Sequence, residues 1–410
     1  MDMLSGILRR RLTLDAVIRA VSNRPGETIE PLVRAILWVG VFQLLFTDHV
    51  ADYAAVDSAV KLAGKMQVSR AGGFINAVLR SVQRLEPTIT PSGSASVRSC
   101  PIDRERWLVF QRGIFPPVAQ HQVAYWSQAA SIPMELAGEF FRDLGDRAAQ
   151  VMIDANGRPP VICRVDRPDM LRPSDRLRPH AQAGYMIVEG GVNGEIRFAI
   201  DRGELSPQDP TAGLAAQWMM EALARPDAPS HADPASPPHV LDLCAGRGTK
   251  TIQMAGGGLR VTASDIAADK LQMLAQREAL LHTGRIHICP AGELPVQAES
   301  FDGVLVDVPC SNTGVLARRP EVRWRLMRLD IDELLQTQNY ILRRAGMLAK
   351  VVLVYSTCSV LPGENEKLIK HFLNSEQGHR WQLVKAHTTL PVTGKDQWRD
   401  GGYVAVMRRN

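Results

Sequence analysis

Two cysteines lie just past apolar runs: Cys310 in "DGVLVDVPCSN" (302–312) and Cys358 in "KVVLVYSTCSVLPGEN" (350–365). Each run reads as a buried strand, and Pro309 and Pro362-Gly363 break the chain beyond it. Asp307 precedes Cys310 at the end of the same strand. Either thiol alone is equally well a small buried hydrophobe. Two thiols and a carboxylate at strand ends of one domain are harder to treat that way, because ligands of open α/β sheets bind at the carboxyl edge.

Two further motifs belong to a cofactor. In "VLDLCAGRGTKT" (240–251) a buried strand runs through Cys244, Ala245, Gly246, Arg247 and Gly248 into a helix beginning near Thr249 and Lys250. Small residues let a ligand approach the backbone, and a helix start offers free N–H groups; a tight strand–helix turn needs the same residues. The spacing is not that of a P-loop. In "RVTASDIAADKL" (260–271), Asp265 ends the next strand about 20 residues on, which suits a carboxylate holding ribose hydroxyls; the alternative is a helix N-cap.

Methylation of a pyrimidine at C5 uses two thiols, a carboxylate and an adenosine cofactor. A thiolate adding at C6 makes C5 nucleophilic toward the methyl of S-adenosylmethionine, and a base then removes the C5 proton. Spacing alone leaves open which thiol attacks. After Cys310 the chain turns basic, with Arg318, Arg319, Arg323, Arg325 and Arg328 around Trp324. Arginines with an aromatic suit single-stranded nucleic acid, as they do a plain amphipathic helix.

These residues need a scaffold. Over 211–410 apolar β-branched runs alternate with helical stretches at 248–256, 267–283 and 330–345. That alternation predicts a doubly wound, mostly parallel α/β sheet. Residues 224–239 are Pro/Ala/Ser-rich and read as a surface loop. Residues 1–85 read as four helices, 86–135 as a connector plus irregular helix, and 136–205 as one helix followed by short strands. The charge of +5 and an arginine excess over lysine permit a polyanionic partner. No CxxC pair points to zinc or a disulfide framework, and no metal is expected. No apolar run is long enough for a membrane span, so a cytoplasmic protein with no membrane partner is expected.

The motifs "VLDLCAGRGTKT", "DVPCSNTGVLARRPEVRW" (307–324) and "YSTCSVLPGENE" (355–366) resemble those of the Sun/nucleolar-type RNA cytosine-C5 methyltransferases. "SPQDPTAGLAAQ" (206–217) and "DGGYVAVMRR" (400–409) extend the resemblance. "YAAVDSAVKLAGKMQVSRAGGFINAVLR" (53–80) resembles the NusB-like helical domain of bacterial ribosomal small-subunit RNA methyltransferases. The resemblance implies a Rossmann-like class I methyltransferase domain at 211–410, an all-α NusB-like RNA-binding domain plus connector at 1–135, and a small α+β RNA-binding subdomain at 136–210. It implies that Cys358 is the nucleophile, that Cys310 resolves the adduct, and that Asp307 and Lys250 complete the catalytic set. S-adenosyl-L-methionine would be held by Cys244 to Lys250, Asp265 and Asp307. RNA would meet Arg318, Arg319, Arg323 and Trp324. The partner implied is 16S rRNA or an assembling small subunit, met by a monomer.

The chain departs from that pattern in places. Ala245-Gly246-Arg247-Gly248-Thr249-Lys250 stands where Ala-Ala-Pro-Gly-Gly-Lys is usual. Ala291 or Gly292 stands where an acidic residue near the adenine is usual, with Glu293 beside them. The loop at 224–239 is longer than usual, and one or two helices at the start of the helical domain are expected to be missing. The same chemistry on tRNA or another rRNA is the alternative enzyme. A non-catalytic ribosome-assembly factor would not need both thiols, and a nicotinamide oxidoreductase leaves the pair unexplained.

Overall fold

The computed structural model describes residues 3–91, 93–224, 236–294, 297–327 and 329–410. Arg328 and most of the 224–239 loop lie outside the described residues. The chain forms two compact units, Met1–Arg158 with Leu316–Arg328, and Pro159–Val315 with Leu329–Asn410.

The first unit begins with helices Met3–Ser22, Pro31–Phe46, Asp52–Lys65 and Gly72–Gln83. Pro31 at the first helical position starts the second with its φ already set. Leu14, Val17, Ile18, Leu37, Val41, Val56, Ile75 and Leu79 recur at helical spacing and are buried. The connector expected at 86–135 contains a three-stranded antiparallel sheet, Thr88–Pro91, Arg106–Val109 and Ser99–Pro101 in spatial order. The helix expected over 135–156 is two, Met134–Leu144 and Ala148–Asp154, because Gly145 has φ +55° and leaves the helical region.

In the second unit a small antiparallel sheet is ordered Leu177–Pro179, Tyr185–Val188, Val161–Val165, Leu205–Pro207. The helix Gly194–Asp201, capped by the Asn193 side chain, packs Ile196 and Ala199 against it. The main sheet has seven strands: β1 His239–Asp242, β2 Arg260–Ala263, β3 Ile286–Ile288, β4 Phe301–Asp307, β5 Ala349–Thr357, β6 Trp381–Thr389 and β7 Gly402–Arg409. Their order is β3-β2-β1-β4-β5-β7-β6; β1 to β5 run parallel, and β7 is antiparallel to both neighbours.

The two-residue period of a strand divides the core. Leu241, Val304, Val306, Leu353 and Tyr355 join one cluster with Leu342 and Phe372. Val240, Leu305, Val352 and Val354 join the other with Trp218 and Met219. Both faces are apolar, as a buried parallel sheet requires.

The units do not end where the sequence suggested, at 135 and 210. Helices Met134–Leu144 and Ala148–Asp154 bury Phe140 and Met152 within the first unit, and the small sheet belongs to the second. Residues Leu316–Arg328 also belong to the first unit. Arg323 and Trp324, expected to face RNA, are committed there. Arg323 is fully buried, and its guanidinium donates to the carbonyls of Arg9, Ala130, Ser131 and Ala155 and to Asn156 Oδ1 at 2.5–3.2 Å. The Trp324 indole donates to Leu8 O at 2.9 Å, with Arg11 4.7 Å over its ring. Of the other two, Arg318 is half-buried and Arg319 is exposed beside Glu321.

Candidate active site

The strand order reverses between β1 and β4, which is where an open α/β sheet leaves a crevice at its carboxyl edge. Four neighbouring strands end there, each delivering part of the site: β1 the loop 243–248, β2 Asp265, β4 Asp307 and β5 Cys358.

After β1 the chain makes a tight loop, with Gly246 at φ +54° and Gly248 at φ +78°. A side chain at Gly248 would also run into Leu274, its Cδ2 2.8 Å from a Cβ built there. Glycine is therefore required at 248, while Arg247 points outward and is exposed. Asp265 accepts the N–H of Gly246 and of Ala267, both at 2.8 Å, which ties the loop to the end of β2.

Beside it lies a cleft of about 430 Å3 lined by Asp265, Ile266, Leu271, Gln272, Ala275, Ile288, Pro290, Ala291 and Gly292. Ile266 is 95% exposed, an apolar side chain spent on a cleft wall rather than on the core. Ala291 and Gly292 form the wall where the resembled family usually carries an acidic residue; Glu293 does not line it.

The side chains expected to carry the chemistry are close together. Lys250 Nζ is 2.6 Å from Asp307 Oδ2, and Ser356 donates to Asp307 Oδ1 at 2.7 Å. Burial alone would lower the Lys250 ammonium. The charge and hydrogen bond of Asp307, with Asp242 and Cys358, outweigh it and hold the pKa above its ordinary value. Cys310 Sγ and Cys358 Sγ are 3.0 Å apart, and both are free thiols. The hydrogen bond to Cys358, then burial, push the Cys310 thiol well above its usual range. Burial does the same to Cys244.

Asn312, at φ +62°, spans the pair: its Nδ2 donates to Cys310 O at 2.6 Å, and its Oδ1 accepts from the Cys358 thiol at 3.3 Å. Gly314 N donates to Cys358 O at 2.9 Å, so the loop after β4 is fastened to the end of β5. Sequence reasoning missed Asp242, Ile266, Asn312 and Ser356; only Asp242, an acid inside an apolar strand, carried a local signal.

A profile of the family described as 16S rRNA methyltransferase RsmB/F matches residues 230–400, and one of the NusB family matches residues 1–84. The ribosomal RNA small subunit methyltransferase B of Salmonella paratyphi C (strain RKS4594) is 30% identical over 388 residues, covering 91% of this chain and 80% of that protein. The chain belongs to the RsmB/F methyltransferase family. The crystal structure of PH0851 matches with a TM-score of 0.68 at 21% identity, over 99% of this chain and 89% of that one. A methyltransferase homolog protein from Pyrococcus horikoshii matches with a TM-score of 0.50 at 18% identity, over 70% and 99%. Both likenesses are of fold. The RsmB/F chain is thus an RNA methyltransferase with a Rossmann-like catalytic domain and an N-terminal NusB domain, and its cofactor is S-adenosyl-L-methionine. Among the described residues, no helix is long and apolar enough to cross a membrane.

The site fits that cofactor on two observations. The apolar cleft around Ile266, with Asp265 at its rim, suits an adenine and ribose. Asp242, 1% exposed, takes the Thr251 hydroxyl at 2.7 Å on Oδ2 but has no partner on buried Oδ1, which suits the ammonium of the methionine part.

Burial pushes the Asp242 carboxyl up to about 7. A carboxyl raised above its unfolded value favours the fold fully below that value and withdraws the contribution as pH rises through the folded pKa. The stability of wild type relative to Asp242→Asn should therefore fall by about 2–4 kcal/mol between about pH 4 and pH 8. Urea denaturation without bound cofactor measures it, and a pH-independent difference would contradict the assignment.

Proposed function

We propose that the protein methylates C5 of a cytosine in 16S rRNA, free or in an assembling small subunit, through a covalent adduct between Cys358 and C6. The observation that carries this reading is the pair of free thiols 3.0 Å apart beside the Lys250–Asp307 pair. The choice of substrate is supported by the relatives' names, which place their own activity on small-subunit ribosomal RNA.

Cys358 enters as thiolate and forms the Sγ–C6 bond; the C5=C6 electron pair moves into the ring toward N3. Lys250 and Asp307 receive that edge of the base, the ammonium offsetting the negative charge that addition places there. Bound S-adenosylmethionine supplies the electrophilic methyl group. Cys310, its own proton lost to solvent, accepts the C5 proton. The C5=C6 bond re-forms, the Sγ–C6 bond breaks, and Cys358 leaves as thiolate. Burial, which persists when Cys358 is bonded to the base, keeps the Cys310 thiol's proton affinity high, which suits it to that step. The target base must be unpaired or extruded for a thiolate to reach C6. Cys244 to Lys250 and Asp265 are assigned to the cofactor, and Arg318 and Arg319 remain the RNA-facing candidates of the basic run.

The test is incubation of a monomeric preparation with methyl-labelled S-adenosylmethionine and 16S rRNA lacking modification. Label is expected on C5 of one cytosine. Label on a ribose or a purine, or none on naked RNA and on subunit particles alike, would refute the proposal.

A further inference from the structure

One buried carboxylate joins the two cysteine-bearing loops. Glu364 is 1% exposed. Its Oε1 accepts the hydroxyls of Ser311 and Ser359, the latter at 2.5 Å. Its Oε2 accepts the Ser311 N–H at 2.8 Å and Gln338 Nε2 at 2.9 Å. Ser311 directly follows Cys310, and Ser359 directly follows Cys358. Gln338 also donates to Pro309 O at 2.9 Å, on the other side of Cys310.

Glu364 is itself fixed. Its carbonyl accepts the Tyr355 hydroxyl at 2.7 Å, and its neighbour Asn365 donates to Ser359 O at 3.0 Å and accepts Thr357 Oγ1 at 2.7 Å.

The directions of these bonds follow from the carboxylate. With no proton to give, it makes both serine hydroxyls donors. Ser359 Oγ then accepts the Thr313 hydroxyl at 2.9 Å and the Leu361 N–H at 3.1 Å, and Thr313 accepts the Val360 N–H at 3.1 Å. One acceptor therefore orients a chain of donors running through both loops. An amide of the same shape would have to turn its N–H2 toward Ser311 and Ser359 and reverse both hydroxyls into acceptors, which undoes that order.

We propose that Glu364 is the positioning residue that sets the spacing of Cys310 and Cys358, acting through Ser311 and Ser359 without touching substrate. Its catalytic consequence rests on the cysteine mechanism proposed above; the spacing itself does not. Loosening the clamp separates the thiols, so the attacking and resolving groups no longer address the two adjacent ring carbons together.

The test compares full-length wild type with Glu364→Gln and Ser359→Ala. Diamide oxidation of the Cys310–Cys358 pair, followed by peptide mass, reports the spacing without RNA. Both variants should form the cross-link about tenfold more slowly, while S-adenosylmethionine Kd stays within about twofold. On RNA, kcat should fall about 100-fold with KM little changed, and the protein–RNA adduct should persist. Wild-type cross-linking rates in both variants would overturn the proposal whatever their activity, as would a wild-type pair that resists diamide. Loss of cofactor affinity together with the unfolding midpoint in both variants would reduce Glu364 to a plain fold element. If Cys358→Ala keeps full activity, the cysteine mechanism fails while the oxidation rates still judge the clamp.

Discussion

Cys358→Ala should abolish methyl transfer, by about 10⁴-fold or more, and leave no covalent protein–RNA species. Cys310→Ala should also lose turnover but accumulate a slow-migrating adduct on a denaturing gel. The two outcomes differ because the thiols are assigned successive steps, one making the Sγ–C6 bond and the other taking the proton whose loss allows that bond to break. Their 3.0 Å separation makes the contrast sharp, since either alanine leaves the other thiol in place and the Lys250–Asp307 pair intact. Cys310→Ser keeps a smaller polar group there and should trap as well, because an alcohol is a poorer base under the same conditions than a thiolate. An active Cys358→Ala enzyme would end the mechanism. An adduct formed by Cys358→Ala and not by Cys310→Ala would exchange the two roles.

Arg323→Met should destabilise the first unit by at least about 3 kcal/mol. The arginine is fully buried, and its five acceptors are four backbone carbonyls and an asparagine oxygen. Burial, then Arg9 and Arg10, pull its pKa well below the ordinary value. Arg9 and Arg10 likewise donate to backbone carbonyls, those of Ala317, Pro101 and Ile102. Methionine fills the volume but leaves the acceptors dry and unpaired, and that asymmetry makes the loss large. Lysine has three donors on one atom and cannot span the carbonyls that the planar guanidinium reaches. Urea unfolding with limited proteolysis across 1–158 measures the effect. An unchanged midpoint would mean that water replaces the guanidinium at little cost.

The catalytic strands were legible because buried parallel strands are continuous β-branched runs, and β1, β2, β4 and β5 each announce themselves this way. Their ends place Cys310, Cys358, Asp307 and Asp265 at one sheet edge, so these candidates could be picked out one strand at a time; Lys250, on the helix after β1, came from the family resemblance. The three-stranded sheet after residue 86 was not legible. Its strands are three or four residues long, two of them within Ser/Pro-rich sequence, too short for a period to show. Glu364 sits in a Pro-Gly turn, where a glutamate ordinarily faces water; its partners Ser311, 53 residues away, and Gln338 are not visible from the local sequence. Arg323 misled for the same reason. An arginine in a basic run reads as a surface group until a pocket of carbonyls drawn from residues 9 to 156 closes around it.

The first unit takes its last piece, Leu316–Arg328, from far along the chain. During synthesis its helices leave the ribosome long before that piece does. At roughly 5–20 residues per second, Arg323 follows Arg158 by about 8–33 s. For that interval the carbonyls awaiting the guanidinium must stay hydrated, and the nascent helical unit is open where the finished one is closed. The gene order thus sets a folding order, in which the N-terminal unit is begun first and sealed only after Cys310 and its strand have been made.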